Sequence, residues 1–222
     1  MTTDVWPRLF SAWGVDRLLA HYRDLRLLPA TTGPLMFAGV VAFDATSAGR
    51  DRISDQYEVS IAVPVDFPRA FPAVRETAGR VPKTFHTNPD GTLCLGSPTR
   101  LMLALHPAPS LEQFVTRCLV PYLYSYSHYE RHGIMPFSEL RHGIAGIRDD
   151  LASLYGVGLG ANVSNFTRLT ALSVRVANKA PCPCGSGRRL GRCHNVRVNR
   201  LRRLLGRAWF RSLTHTLATN GS

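Results

Sequence analysis

The apolar positions change period along the chain, and the changes mark out its elements. Over residues 1–28, Val5, Leu9, Phe10, Trp13, Leu18, Tyr22 and Leu25 recur at mostly helical spacing, which predicts one amphipathic helix or a pair broken near Gly14. "PLMFAGVVAF" (34–43) is apolar, rich in β-branched residues and bounded by Gly-Pro and Asp, the pattern of a buried strand. In "QYEVSIAVP" (56–64), Tyr57, Val59, Ile61 and Val63 alternate with Glu58, Ser60 and Ala62. That period of two predicts a half-buried strand of an antiparallel sheet. Prolines at 64, 68 and 72 exclude a central strand from the next segment, which leads into a short third strand near 73–78.

Helical spacing returns later. Ser110 and Gln113 form a capping-box pattern, Leu111, Phe114, Cys118 and Tyr122 fall on one helical face, and Pro121 is expected to kink that helix. A further helix is predicted over 137–155, with Leu140, Ile144, Ile147, Leu151 and Leu154 in register and Gly156 just past its end. "GVGLGANVSN" (156–165) is rich in glycine and small polar residues and places a boundary there. Last comes "VRVNRLRRLLGRAWFRSLTHTL" (196–217), a basic amphipathic helix that sets Leu201, Leu205, Ala208, Trp209 and Leu213 against Arg200, Arg203, Arg207 and Arg211. The order predicts an α+β fold, an antiparallel β-meander with helices segregated before and after it. The expected organisation is a domain over 1–155, a linker over 156–180 and a small appendage over 181–222.

Composition sharpens this division. The 222 residues are 45% apolar, enough for a real core, and carry a net charge of +12. Residues 1–150 hold 15 Lys/Arg and 15 Asp/Glu, whereas residues 151–222 hold 12 Lys/Arg and no acid. The basic excess suits nucleic acid, an anionic surface or an acidic protein. With no secretion-signal pattern and no apolar run near the roughly 18 residues of a membrane span, the expectation is a cytoplasmic protein. Five cysteines in such a chain argue for metal ligation or thiol chemistry rather than a disulfide framework.

The first candidate site lies in "FHTNPDGTLCLGSP" (85–98). Asn88, Pro89, Asp90 and Gly91 have the chemistry of a tight type I turn, after which the chain runs extended through Thr92, Leu93, Cys94 and Leu95. If Leu93 and Leu95 point inward, alternation turns Cys94 outward together with Thr92. A thiol is the best side-chain nucleophile near neutral pH, and its acyl thioester stays reactive toward amines. His86 is either a tuner or base for the thiol or a structural His beside Phe85. Asn88 is either a donor to a developing oxyanion or a turn-capping side chain. His106 is a weaker candidate, Cys118 reads as a core residue and Asp90 as part of the turn.

"YEVSIAVPVDFPRAFPAV", "FHTNPDGTLCLGSP" and "HPAPSLEQFVTRCL" together resemble the ubiquitin-conjugating enzymes in order and type, over about residues 1–155. The resemblance implies that Cys94 accepts the C-terminal carbonyl of a ubiquitin-like protein as a thioester and passes it to an amine, with Asn88 supporting the loop or the oxyanion. Asn88 precedes Cys94 by only six positions, Thr87 stands where a proline is usual, and the tryptophan usual after the cysteine is absent. These departures resemble divergent bacterial members of anti-phage operons. There the transferred protein is a ubiquitin-like protein or a nucleotidyltransferase of the cyclic-oligonucleotide (CBASS) type, and an activating enzyme is the implied partner.

The second candidate site is "CPCGSGRRLGRCH", which spaces Cys182, Cys184, Cys193 and His194 as Cys-x-Cys-x8-Cys-His. Three thiolates and an imidazole supply a closed tetrahedral set for a structural zinc ion, and a segment this polar has little core to hold it otherwise. The stretch resembles the SEC-C zinc motif, which implies a binding accessory. Two further readings stand beside the carrier: a non-enzymatic adaptor whose basic zinc tail binds protein or nucleic acid, and a cysteine hydrolase, which needs His86 and Asn88 to converge on the thiol.

Overall fold

A computed structural model gives the architecture and describes residues 5–29, 33–47, 49–136, 141 and 143–219. The chain forms two compact units, one of Met1–Gly96 with Ala108–Glu139, the other of Ser97–Pro107 with Leu140–Ser222. The architecture is α+β, as the periodicity predicts.

The first unit opens with α1 (Val5–Trp13) and α2 (Val15–His21), separated at Gly14, whose φ of 67° lies in the left-handed region that glycine enters at little cost. Four strands follow in an antiparallel meander whose spatial order is the chain order: β1 (Leu25–Leu27), β2 (Leu35–Thr46), β3 (Arg52–Val63) and β4 (Ala73–Glu76). Along β3, Ile53, Tyr57, Val59, Ile61 and Val63 are buried while Arg52, Ser54, Gln56 and Glu58 are exposed. The register sets Phe37 opposite Ile61 and Val41 opposite Tyr57, so one apolar face is continuous across β2 and β3. The three-residue β1 is too short to show a period, and Leu25 fits helical spacing equally well; the sequence therefore assigns it to the preceding helix. Gly39 lets β1 approach, because a Cβ there would sit 2.0 Å from the Asp24 carbonyl oxygen.

The helix after the sheet runs through α4 (Leu111–Phe114), a π-helical segment Val115–Leu119 and α5 (Val120–His132). The Ser110 hydroxyl accepts from the Gln113 N–H at 3.2 Å, but Gln113 Oε1 is buried with no hydrogen-bond partner, so only half of the expected capping box forms. The Val120 N–H reaches back to the Val115 carbonyl, five residues away. That widened turn takes the place of the simple kink expected at Pro121, whose ring would otherwise press on the preceding turn. α5 packs on β2 and β3 and buries Tyr122, Leu123, Tyr124 and Tyr126.

The second unit holds α3 (Pro98–Leu105), α6 (Gly143–Tyr155), α7 (Val163–Ala171), α8 (Val174–Ala177) and α9 (Asn195–Thr219). Of the helix predicted over 137–155, the part from Gly143 is present; Leu140 lies outside the described residues. It ends as expected at Gly156 (φ 69°), with Val157 N–H bonded to Ala152 O and Gly156 N–H to Ser153 O, a Schellman cap. The 156–180 stretch, read from its glycines as a linker, carries α7 and α8 and buries Phe166, Leu169 and Ala177. Its apolar residues are too few to show a clear period and gain their meaning from packing on α6 and α9.

Two arginines of α9 serve the fold. Arg202, 7% exposed, donates to the carbonyls of Thr170 and Leu169 at 2.9 Å each, and Arg207 donates to Ala171 O at 3.1 Å. Together they satisfy the orphan carbonyls at the negative end of α7. α9 is broken at Gly206 (φ 78°, ψ 161°), where sequence periodicity predicts an unbroken helix. A Cβ at Gly206 would meet nothing within 4 Å, so Gly206→Ala isolates the backbone term. We expect a loss of about 1–2 kcal/mol, read as a lower midpoint in thermal denaturation with the helical signal unchanged.

Candidate functional site

The Cys94 site is a short hairpin. The Gly91 N–H donates to the Asn88 carbonyl at 2.8 Å, closing the predicted turn, and Gly91 has φ 82°. Asn88 N–H to Thr92 O and Cys94 N–H to His86 O, both 2.7 Å, flank the antiparallel pairing of Thr87 with Leu93. Leu93, buried, donates its N–H to Val74 O at 2.7 Å and docks the hairpin on β4. This register sets the His86 backbone opposite Cys94 and Asn88 opposite Thr92, and alternation puts the Asn88, Thr92 and Cys94 side chains on one hairpin face, while the positive φ of His86 takes it out of that alternation. Cys94 is half-buried on that face.

Thr92 departs from the expected outward position: it is only 6% exposed. Its hydroxyl donates to Asp90 Oδ1 at 2.7 Å and accepts from Asn88 Nδ2 at 3.0 Å, and its N–H donates to Asp90 Oδ1 at 3.0 Å. These two donors hold the Asp90 carboxyl below the usual carboxylate range, the Thr92 hydroxyl being the larger cause. Asn88 thus has its amide nitrogen engaged inside the turn. The His86 backbone has φ 38°, and its ring meets the Phe85 ring edge-on at 5.3 Å.

Two tyrosines of α5 hold the hairpin and the segment leading into it. Tyr122 donates to Phe85 O at 2.9 Å and Tyr126 to Arg80 O at 2.7 Å. Burial pushes the Tyr122 hydroxyl well above its ordinary range; a hydrogen bond with Thr87 opposes this, and the neighbouring Cys94 thiol adds to it. Arg80 makes a bidentate pair with Asp55 at 2.9 and 2.8 Å, reaches Glu130 at 2.6 Å, and lies 4.3 Å over the Tyr57 ring. Asp55 also accepts from Ser127 at 2.8 Å. Burial pushes the Cys118 thiol up to about 12, which fits its reading as a core residue. His106 ends α3 in the second unit, its N–H shared between the Met102 and Leu103 carbonyls.

The second site does gather its four predicted residues. The ligand atoms of Cys182, Cys184, Cys193 and His194 all lie within 4.8 Å of one another. His194 Nδ1 is 3.3 Å from Cys182 Sγ and 3.2 Å from Cys193 Sγ, and Cys184 Sγ is 3.6 Å from Cys193 Sγ. Tetrahedral zinc with N and S ligands separates donors by about 3.5–3.8 Å, so a set gathered this closely is compatible with that ion. Pairing of Pro181 with Arg189, and Cys182 N–H donating to Arg188 O at 2.8 Å, fold the loop back on itself. Gly185 (φ 79°) makes the turn between the two ends.

Two neighbours of the sulfurs escape motif spacing. Ser186 Oγ lies 3.2 Å from Cys184 Sγ and 3.4 Å from Cys193 Sγ, and Arg188 reaches Cys193 Sγ at 3.7 Å. Hydrogen bonding to Ser186 pulls the Cys184 thiol down to about 6, toward the thiolate a metal requires, while burial pushes Cys182 up. The His194 ring packs edge-on against Phe166, centroids 5.4 Å apart, and Phe166 stacks on Tyr155 at 5.2 Å. The cluster is thereby joined to the second unit's core.

Donor set and loop geometry define a Cys3His knuckle compatible with zinc. Residues 179–195 match the family model described as the SEC-C motif. None of the curated proteins matches the chain. Among the described residues no helix is long and apolar enough to cross a membrane.

Proposed function

We propose that this protein is a ubiquitin-conjugating-like carrier that forms a thioester at Cys94, of the kind associated with bacterial anti-phage defence. The observation that carries the reading is the placement of Cys94: partly exposed on a hairpin face opposite His86, whereas Cys118 is buried and the other three cysteines belong to the knuckle. The order of a helix pair, an antiparallel meander, the Cys94 hairpin and a long helix supports the reading. In the loading step the Cys94 thiolate attacks the activated C-terminal carbonyl of a ubiquitin-like protein or a CBASS-type nucleotidyltransferase. A C–S bond forms and the activating group leaves with its electron pair. In the unloading step an amine attacks that carbonyl, an amide forms, the amine gives up a proton and the Cys94 thiolate departs. The engagement of Asn88 with Thr92 supports a role in holding the turn. Cys182, Cys184, Cys193 and His194 hold a structural zinc ion in this reading, with no open position for a substrate.

The test incubates the full-length protein with lysate of its native host and ATP, and maps acyl groups on cysteine by mass spectrometry. The expected product is another protein's C-terminal peptide joined to Cys94 Sγ and released by neutral hydroxylamine. Cys94→Ser is expected to trap the same peptide as a hydroxylamine-stable ester, and Cys94→Ala to form nothing. An adduct that persists in Cys94→Ala, or wild type that is never acylated, sinks the carrier and leaves the adaptor reading, for which Cys94 is dispensable.

A further inference from the structure

The division into two units relocates the charge. The second unit contains 15 Lys/Arg, 14 of them Arg, and only two acids, Asp149 and Asp150; the first contains 12 Lys/Arg and 13 Asp/Glu. Both acids of the second unit are already bound, Asp150 by Arg100 at 2.6 Å and Asp149 by Arg141 at 2.6 and 2.7 Å. The remaining cations have no carboxylate of their own unit to pair with. Arg202 and Arg207 are used to cap α7, but Arg189, Arg192, Arg197, Arg200 and Arg203 are exposed. Arg197, Arg200 and Arg203 follow one another at three-residue spacing on α9, where like charges repel. Such a stripe costs stability unless an anion relieves it.

We propose that this surface binds the phosphate backbone of duplex nucleic acid without regard to sequence. Arginine is the side chain suited to phosphate, which it grips through two parallel N–H donors. A membrane surface is disfavoured because Val198, Leu201, Phe210, Leu213 and Leu217 of α9 are buried, and Val196 is its one exposed large apolar side chain, too little for an inserting face. An acidic protein is disfavoured because protein interfaces centre on aromatic anchors, and in residues 151–219 Tyr155, Phe166 and Phe210 are buried and Trp209 is partly buried. The same lack of exposed aromatics disfavours single strands, which need stacking platforms.

The test measures fluorescence anisotropy of labelled DNA on the full-length protein. The probes are two unrelated duplexes of about 20 base pairs, one of the single strands, and a polyglutamate peptide. We expect the two duplexes to bind alike, more tightly than the strand or the peptide, with affinity falling at least ~10-fold between about 50 and 200 mM salt. Arg189→Gln/Arg192→Gln and Arg200→Gln/Arg203→Gln should each weaken binding and flatten the salt slope by about one to two, with helical content unchanged. Preference for polyglutamate or for the single strand, absence of duplex binding at low salt, or full affinity in both well-folded double variants overturns the proposal.

Discussion

Cys182→Ser, or treatment with a strong chelator, is expected to release one equivalent of zinc and to collapse the knuckle over residues 179–195. The reason is the poverty of the local core. Between Pro181 and His194 the only fully buried apolar side chain is Leu190, with Cys182 beside it at 5% exposure. A loop of this composition cannot offset its ordering entropy by burial, so metal binding, worth on the order of 10 kcal/mol, supplies the folding energy. The damage should spread along a defined route, because His194 packs on Phe166, Phe166 stacks on Tyr155, and Leu190 and Val198 share their core. Hydrogen exchange should therefore rise first in the knuckle and then in α7 and the start of α9, while β2 and β3 of the first unit stay protected. Metal analysis that finds no zinc in wild type, or a Cys182→Ala/Cys184→Ala variant that keeps its metal and its protection, refutes the structural zinc site.

The two sites differ in how much of them the sequence displays. The knuckle is contiguous, so ligand type and spacing name all four donors before any fold is known, and the structure brings those four together. The Cys94 hairpin is half legible. Its turn is local, written in Asn88 to Gly91, and closes as turn chemistry predicts. Its supports are tertiary: Tyr122 and Tyr126 sit on a helix where their spacing signals only an apolar face, and nothing in their neighbours announces hydroxyls aimed at Phe85 O and Arg80 O. Thr92 misleads for a related reason, since strand alternation assigns it to solvent while its hydrogen bonds to Asp90 and Asn88 draw it inside. In the sheet, β3 is legible because its period is long enough to read, and β1 is not because three residues carry none. The boundary placed at 156–165 has the same origin: glycine there is read as a break between domains, yet Gly156 is a helix cap.

Arg80→Ala is expected to cost about 2–3 kcal/mol, the value for a broken buried pair discounted for the 34% exposure of the Arg80 side chain. The loss falls mainly on Asp55, whose side chain is only 14% exposed and keeps Ser127 and the Gln56 N–H as its remaining donors. The hydrogen bonds from Arg80, first among the causes, hold the Asp55 pKa down to about 2. A carboxyl depressed in the folded state stabilises the fold above its unfolded pKa of about 3.9, and that contribution disappears as pH falls through the folded value. Wild type should therefore lose about 2 kcal/mol between about pH 4 and pH 2, and Arg80→Ala should lose much less over the same window. Arg80 also presents the carbonyl that Tyr126 holds, five residues before Phe85, so loosening it should free the hairpin. Alkylation of Cys94 by iodoacetamide is expected to rise several-fold in Arg80→Ala, and Arg80→Lys to restore it in part, since lysine keeps the charge without the fork. Denaturant titrations across that pH range, paired with the alkylation rate, separate the two effects. If stability falls with no change at Cys94, the pair supports the sheet and helix alone; if neither changes, the network carries no weight in the fold.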